Sequence, residues 1–330
     1  MHEQRTNPHE IMQNWWMIDH RLHVLRLLAH HGTVTATAEA LHYTPSAVSA
    51  QLRSLSEQLG VPLLVPKGRG VKLTPAGRLL LSRADDLFES WEQIRAEVVA
   101  GADETMVELR MCGFSTAAAA LLPTVAARLL RTYPNLDVRI IEAGPAECFD
   151  LLLAGEADVA VVAVTQEIPS AADPRFYQQP LLHDPLDLLL STNHRLAGHE
   201  SASFQEVATE RWIVDRVGRP YHQLFMTACA SAGFVPTIAH EVVEWETAAA
   251  LVGAELGVAL IPRLARLPAG YPVVRVPLHG DPRPTRHIIT GIRRGSRGLP
   301  IVSEAIRTLD DVGPAALAAV QLAADENHHS

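Results

Sequence analysis

Residues 31–60, HGTVTATAEALHYTPSAVSAQLRSLSEQLG, constrain this chain most, because they carry two short helical patterns separated by a tight break. Ala36, Ala38, Ala40 and Leu41 give the first helix small side chains, so a second helix can cross it closely; His42 and Tyr43 then interrupt the pattern. Thr44 suits an N-cap and Pro45 the first helical position, where a missing N–H costs nothing. On the second helix Ala47, Val48, Leu52 and Leu55 share an apolar face, leaving Ser46, Ser49, Ala50 and Arg53 outward. This pattern fits a helix-turn-helix whose second helix enters a DNA major groove N-terminus first, and equally an ordinary helical hairpin.

Charge separates the two. From His20 to Arg83 there are eight Lys or Arg against Glu39 and Glu57, a net +6; the whole chain stands at −9, so the rest carries −15. A polyphosphate attracts the first segment and repels the second. Lys67 and Arg69 lie on the turn KGRG, where Gly68 and Gly70 permit a tight hairpin that holds two cations forward, as a wing or as a solvated basic turn.

The 330 residues, 48% hydrophobic and 20% charged, predict about two domains. No run of about 18 apolar residues occurs, and the N-terminus lacks a basic start followed by an apolar core, so a cytoplasmic protein without a membrane span is expected. Between residues 75 and 100, Leu79, Leu80, Ala84, Leu87, Phe88, Trp91, Ile94 and Val98 recur at three- and four-residue steps, predicting one long amphipathic helix. Beyond Gly101 the text alternates: strands over 107–112, 136–141 and 158–164, helices over 117–132 and 148–154. It begins again after Leu181 with LDLLLS, RWIVD, a helix over 222–232 and WETAAALVGAELGVALIP, then returns through RHIITGI and a helix over 301–309. Two α/β lobes built on parallel sheet follow, the first completed by the C-terminal return.

Cys112, Cys148 and Cys229 form no CxxC motif, and a strand cysteine and a helix cysteine are not expected to meet, so buried thiols are read rather than a redox pair. His183, Asp184, Ser191 and His194 are a hydrolase-like set, yet no GxSxG, Gly-rich phosphate loop or HExxH accompanies them, and no enzyme is expected. The histidines of the NHHS end have no ligand spacing; no metal or cofactor is expected.

The stretch from Met17 to Gly77 resembles the N-terminal domain of LysR-type transcriptional regulators: the ALH before the turn, the Ser49 and Leu52 spacing, Leu59-Gly60-Val61, and the wing ending in Leu73-Thr74-Pro75-Ala76-Gly77. The resemblance implies an α+β multidomain chain: a winged helix-turn-helix (17–75), a linker and dimerisation helix (76–101), and a two-lobed α/β effector domain (107–310) similar to type 2 periplasmic binding proteins. Lobe I would span about 107–178 and 286–310, lobe II about 179–285, with a disordered extension over 1–16 and a tail over 311–330. It implies that Pro45, Ser46 and Ser49 meet base edges, that Thr44 and Arg53 meet phosphates within a recognition motif over 34–53, and that Lys67 and Arg69 form the wing. The expected partners are operator DNA, a second copy or a dimer of dimers, RNA polymerase, and a small, anionic effector. Relatives often carry Gln-Pro where this chain has Pro45-Ser46 and arginine where it has Ala50; neither Pro45 nor Ala50 makes bidentate base contacts, so operator preference does not transfer.

Within the effector half, Ser115 and Thr116 open a helix after a strand and would either face an anion in the interlobe cleft or cap that helix. Opposite, Arg216, Arg219 and Tyr221 of DRVGRPYH could clamp a carboxylate, or stand solvated. Pro145, Trp245 and Thr247 complete the expected contacts. Some relatives with aromatic-acid effectors carry a hydroxyl at the Pro145 position and arginine near Ala163, so that ligand class does not simply transfer to this chain.

Overall fold

A computed structural model describes residues 18–68, 70–100, 107–280 and 283–328, side chains being placed outside 99–100 and 321–328. The expected disordered extension over 1–16 lies outside these residues. Helix α1 (His20–His31) starts where Asp19 accepts from the Arg21 N–H at 3.0 Å and stops at Gly32, in the left-handed region at φ 73°. Helix α2 (Val34–Ala40) is capped by Thr33, and α3 (Pro45–Leu59) by Thr44, whose hydroxyl accepts from the Ala47 N–H at 3.2 Å. The break between them is His42, at φ 52°. Val24, Leu25, Leu28, Ala38, Val48, Leu52, Leu55 and Leu63 form the core where the three helices cross. The antiparallel wing is β1 (Leu64–Lys67) and β2 (Gly70–Leu73). Helix α4 (Pro75–Ala100) follows at once; a Cβ on Gly77 would stand 2.2 Å from the Leu63 carbonyl oxygen, so only glycine lets the helix start this close to the wing.

The remaining strands share one sheet. Parallel strands β3 (Val107–Gly113), β4 (Leu136–Glu142) and β5 (Val159–Ala163) build lobe I with helices α5 (Ser115–Ala120), α6 (Leu122–Thr132) and α7 (Pro145–Ala154). The single helix expected over 117–132 is thus two, meeting at Leu121. Strand β6 (Phe176–Ser191) crosses into lobe II, where β7 (Ala202–Ser203), β8 (Arg211–Asp215), α8 (Pro220–Ser231), β9 (Thr237–Val242), α9 (Trp245–Gly253), β10 (Val258–Pro262) and β11 (Val273–His279) follow. Strand β12 (Thr285–Arg293) returns, and α10 (Pro300–His328) packs on α6. The helix expected over 301–309 therefore continues through residues read as a tail, because neither Gly313 nor Pro314 stops it.

The strand order β4-β3-β5-β12-β6-β10-β8-β9 corrects the expectation of purely parallel sheets: β6 and β12 run antiparallel to each other along 176–185, and the last third of β6 pairs antiparallel with β10 and β11. Pro180 and Pro185 within β6 hide this strand from pattern reading, since proline normally marks an edge or a break. A second correction concerns the cysteines. Helix α7 packs on β3, bringing the Cys112 thiol 3.7 Å from the Cys148 carbonyl oxygen, while Cys148 donates to the Ala143 carbonyl at 3.5 Å. Both are fully buried, and contact with Cys148 together with burial pushes the Cys112 thiol up, away from the reactive thiolate.

The helix-turn-helix domain and α4 pack against lobe I of the same chain. Leu27 is buried in the cluster of Phe149, Leu152 and Leu153 on α7. His23 Nδ1 lies 3.2 Å from the Leu153 carbonyl oxygen, and His30 and His31 approach Asp150 Oδ1 at 3.7 and 3.0 Å. Beneath them Arg293 joins Glu92 of α4 (2.7 Å) to Asp158 of lobe I (2.9 Å), all three buried. A Cβ on Gly295 would stand 2.7 Å from the Glu89 carbonyl oxygen, so the loop after β12 rests directly on the α4 backbone.

Burial first, then Arg26 and His20, push the His23 imidazole down to about 3. Unfolded, it titrates near ~6.5, so below that pH the unfolded chain binds the proton that the folded chain refuses. Unfolding free energy should therefore fall from pH 6.5 toward 4 by up to about 1.4 kcal/mol per pH unit from this group, and His23→Gln should flatten that slope in denaturant titrations. An unchanged slope in H23Q contradicts the assignment.

Candidate nucleic-acid interface and interlobe cleft

Thr44, Pro45, Ser46 and Arg53 are exposed on one face of α3 and its N-cap, and Ser49 is half-buried beside them. Thr44 Oγ1 lies 2.9 Å from Ser46 Oγ, so the first turn presents a pair of hydroxyls. Arg53 makes no ion pair among the described residues, whereas Arg21 is held by Asp19, Ser54 and Gln58. Lys67 is exposed at the end of β1 and Lys72 on β2; Arg69 lies outside the described residues. Exposed cations without carboxylate partners beside short polar groups at a helix N-terminus are suited to a phosphate backbone and groove. The acidic remainder of the chain leaves this face alone in sign.

The effector half divides at Pro185, where β6 leaves β12 for β10. Two buried ionic pairs hold this pivot: Arg286 with Asp184 at 2.6 Å, and Arg263 with Asp187 at 2.6 Å. The second oxygen of Asp184 accepts from the Leu264 N–H at 3.1 Å. The Arg286 guanidinium stands 5.0 Å over the ring of Phe114, which places the β3–α5 turn against the pivot. That turn carries Ser115, exposed, and Thr116, only 4% exposed. Phe114 is the N-cap and no side chain caps α5, so the two hydroxyls are not spent on capping. Thr116 Oγ1 and Arg286 Nε are buried without a hydrogen-bond partner among the described residues. Two orphaned buried donors on neighbouring elements call for an acceptor.

The other expected contacts are arranged differently. Arg219 does not form a carboxylate-clamping fork: its guanidinium is committed to Asp215 at 2.9 Å, with its side chain half in solvent. Arg216 is exposed on the same loop. Tyr221 donates to the Leu260 carbonyl at 2.7 Å and its ring meets Trp245 edge-on at 4.9 Å, so both pack within lobe II; burial pushes the phenol up, keeping it neutral. Thr247 is exposed on α9 and Pro145 half-buried in the first turn of α7. Arg286 escapes sequence reading. Its signal is period two: Arg286, Ile288, Thr290 and Ile292 share the buried face of β12, and an arginine there needs an internal partner.

A winged helix-turn-helix joined by a long helix to a two-lobed ligand-binding fold defines a DNA-binding regulator rather than an enzyme. Residues 20–78 match the family model described as the bacterial regulatory helix-turn-helix protein, lysR family, and residues 102–314 match the LysR substrate binding domain. The chain belongs to the LysR family of transcriptional regulators. It is 28% identical over 245 residues to the hydrogen peroxide-inducible genes activator of Pectobacterium carotovorum subsp. carotovorum, covering 74% of this chain and 79% of that protein. To the HTH-type transcriptional regulator GltR of Bacillus subtilis (strain 168) it is 26% identical over 242 residues, 73% of this chain and 78% of that one. The fold superposes on a full-length OxyR variant from Pseudomonas aeruginosa with a TM-score of 0.59 at 22% identity, covering 88% of this chain and 93% of that one.

Removing one partner of the buried Arg286–Asp184 pair should be costly. Arg286→Met should lower unfolding stability by about 3–5 kcal/mol, and adding Asp184→Leu should restore most of it, because a stranded buried charge costs more than an apolar replacement of the pair. Equal stability of R286M and wild type in denaturant melts contradicts the pivot.

Proposed function

We propose that this protein regulates transcription as a homodimer, or a dimer of dimers, that grips operator DNA through α3 and the wing while a small anionic effector in the interlobe cleft biases its shape. The observation that carries this reading is the pairing of an exposed cationic helix-turn-helix face with two orphaned buried donors, Thr116 Oγ1 and Arg286 Nε, at the lobe pivot. Dimerisation is supported by α4, where Leu79, Leu87, Ile94 and Val98 are 61%, 47%, 50% and 66% exposed along one helix. An apolar stripe of that length asks for a second helix. The DNA contacts proposed are Pro45, Ser46 and Ser49 to base edges and Thr44, Arg53, Lys67 and Arg69 to phosphates, with RNA polymerase as the machinery acted upon.

The cleft contacts proposed are Ser115, Thr116 and Arg286, in place of an Arg216–Arg219 fork. Sensing of peroxide, which the names of several relatives announce, is not carried over: the Cys112 thiol is buried and pushed up, the reverse of a reactive cysteine.

Arg53→Glu or Lys67→Glu should weaken binding to all duplexes and lower the slope of log affinity against log salt by roughly 1 for each phosphate no longer neutralised, while Ser49→Ala should change sequence preference by about 1 kcal/mol. Mobility shifts unaffected by all three overturn the interface. Thr116→Val should keep basal DNA binding and abolish the response to a small carboxylate found by thermal-shift screening; an unchanged ligand-dependent footprint overturns the cleft assignment. Leu87→Lys with Ile94→Lys should yield monomers in sedimentation, and a retained dimer removes α4 as the interface.

A further inference from the structure

A cavity of about 440 Å³ opens where α1, α4 and lobe I meet, outside the interlobe cleft. Its size matches that of metabolite sites. Five arginines line it: Arg26 from the DNA-reading domain, Arg78 from α4, and Arg175, Arg293 and Arg294 from lobe I. The carboxylates in its wall are taken one for one. Asp85 faces Arg26 at 2.7 Å, Glu92 faces Arg293 at 2.7 Å, Glu89 faces Arg294 at 3.2 Å, and Asp86 is held from outside the cavity by Arg83 at 3.2 Å.

Arg175 is held by Asp173 at 2.6 Å, and unspent donors remain on Arg26 and Arg78. Arg26 is 4% exposed and uses only its Nε on Asp85; its two terminal nitrogens make no hydrogen bond among the described residues. Arg78 has the Leu73 carbonyl oxygen at 2.9 Å and no carboxylate among the described residues. Burial disfavours the charge on Arg26, and the nearby Arg175 and Arg293 add to that effect through the positive potential they raise around it. A buried cation with unspent donors, among others of its sign, is stabilised by an anion with several acceptor oxygens.

We propose that this cavity is a second ligand site, taking a small dianion of phosphate or dicarboxylate type that bridges Arg26 and Arg78 to the lobe I wall. Such a ligand fastens the DNA-reading domain to the effector half directly, whatever occupies the cleft between the lobes. It binds only the docked arrangement, because its partners come from three elements that meet nowhere else, and so it stabilises that arrangement by mass action.

The test is calorimetry and thermal shift on the full chain with inorganic phosphate and, separately, succinate, against potassium chloride at matched ionic strength. At least one oxyanion should give a saturable rise in Tm; phosphate alone marks a phosphoryl ligand, succinate alone a dicarboxylate. Arg26→Met combined with Asp85→Leu, which removes the buried pair together, should abolish the response. Arg78→Ala, an exposed substitution that leaves the fold intact, should weaken affinity roughly tenfold, as expected when one charge-assisted hydrogen bond is removed. Neither oxyanion exceeding chloride, or R78A binding with wild-type affinity, overturns the proposal. Loss of the response in T116V with retention in R26M/D85L places the anion between the lobes and likewise overturns it.

Discussion

The buried guanidinium of Arg293 is the tie on which the arrangement of the whole chain depends. It stands on the last residue of a strand shared by both lobes, reaches Glu92 of the long helix and Asp158 of lobe I, and donates to the Leu152 and Ala157 carbonyls. Burial acts to raise the Asp158 carboxyl, yet Arg293 and Arg110 together outweigh it and hold that group below the usual carboxylate range. Glu92 Oε2 has no hydrogen-bond partner among the described residues, but the geometry is fixed because no member of the network can leave without stranding the charge of the others. The long helix, and the DNA-reading domain that precedes it, therefore move with lobe I.

Lobe II is joined differently. Its link to lobe I is the pair of crossover strands, β6 and β12, whose pairing ends where Pro185 meets Thr285 and which Asp184 and Arg286 hold together. In the proposed mechanism a ligand that engages Arg286 and Thr116 acts on this pivot, and the rigid attachment of lobe I to the long helix carries the change to the DNA face. The effect is a population shift whose size is set by the ligand's differential affinity for the two lobe arrangements.

Much of this is legible in the residues. The spacing around Thr44-Pro45, the glycine-flanked wing and the unbroken amphipathic run to residue 100 predict α2, α3, the wing and α4, because local capping and periodicity decide them, while the helix His20–His31 goes unread. The α/β units also follow their apolar runs. What pattern reading misses is non-local: β6 is disguised by two prolines, tolerated because its neighbours hold it on both sides, and β9 and β11 are half-exposed strands without a continuous apolar run. Arg286 yields in such a reading to the exposed arginines of the Arg216–Arg219 loop, since a partner 102 residues away cannot be read from spacing. The expected separation of Cys112 and Cys148 fails for the same reason: which helix lands on which strand is a property of topology.

The attachment of the DNA-reading domain to lobe I is tested most directly by pulsed electron spin resonance between labels replacing Glu57 on α3 and Arg139 on β4, both exposed, in a chain whose native cysteines are buried. With labelled chains diluted in an excess of unlabelled ones, so that only distances within a chain are read, one narrow distribution, the same with and without bound duplex, is what the Arg293 tie predicts. A broad distribution, or one that shifts when DNA binds, would mean that the domain swings independently of lobe I and that a signal at the pivot has no such route to the operator.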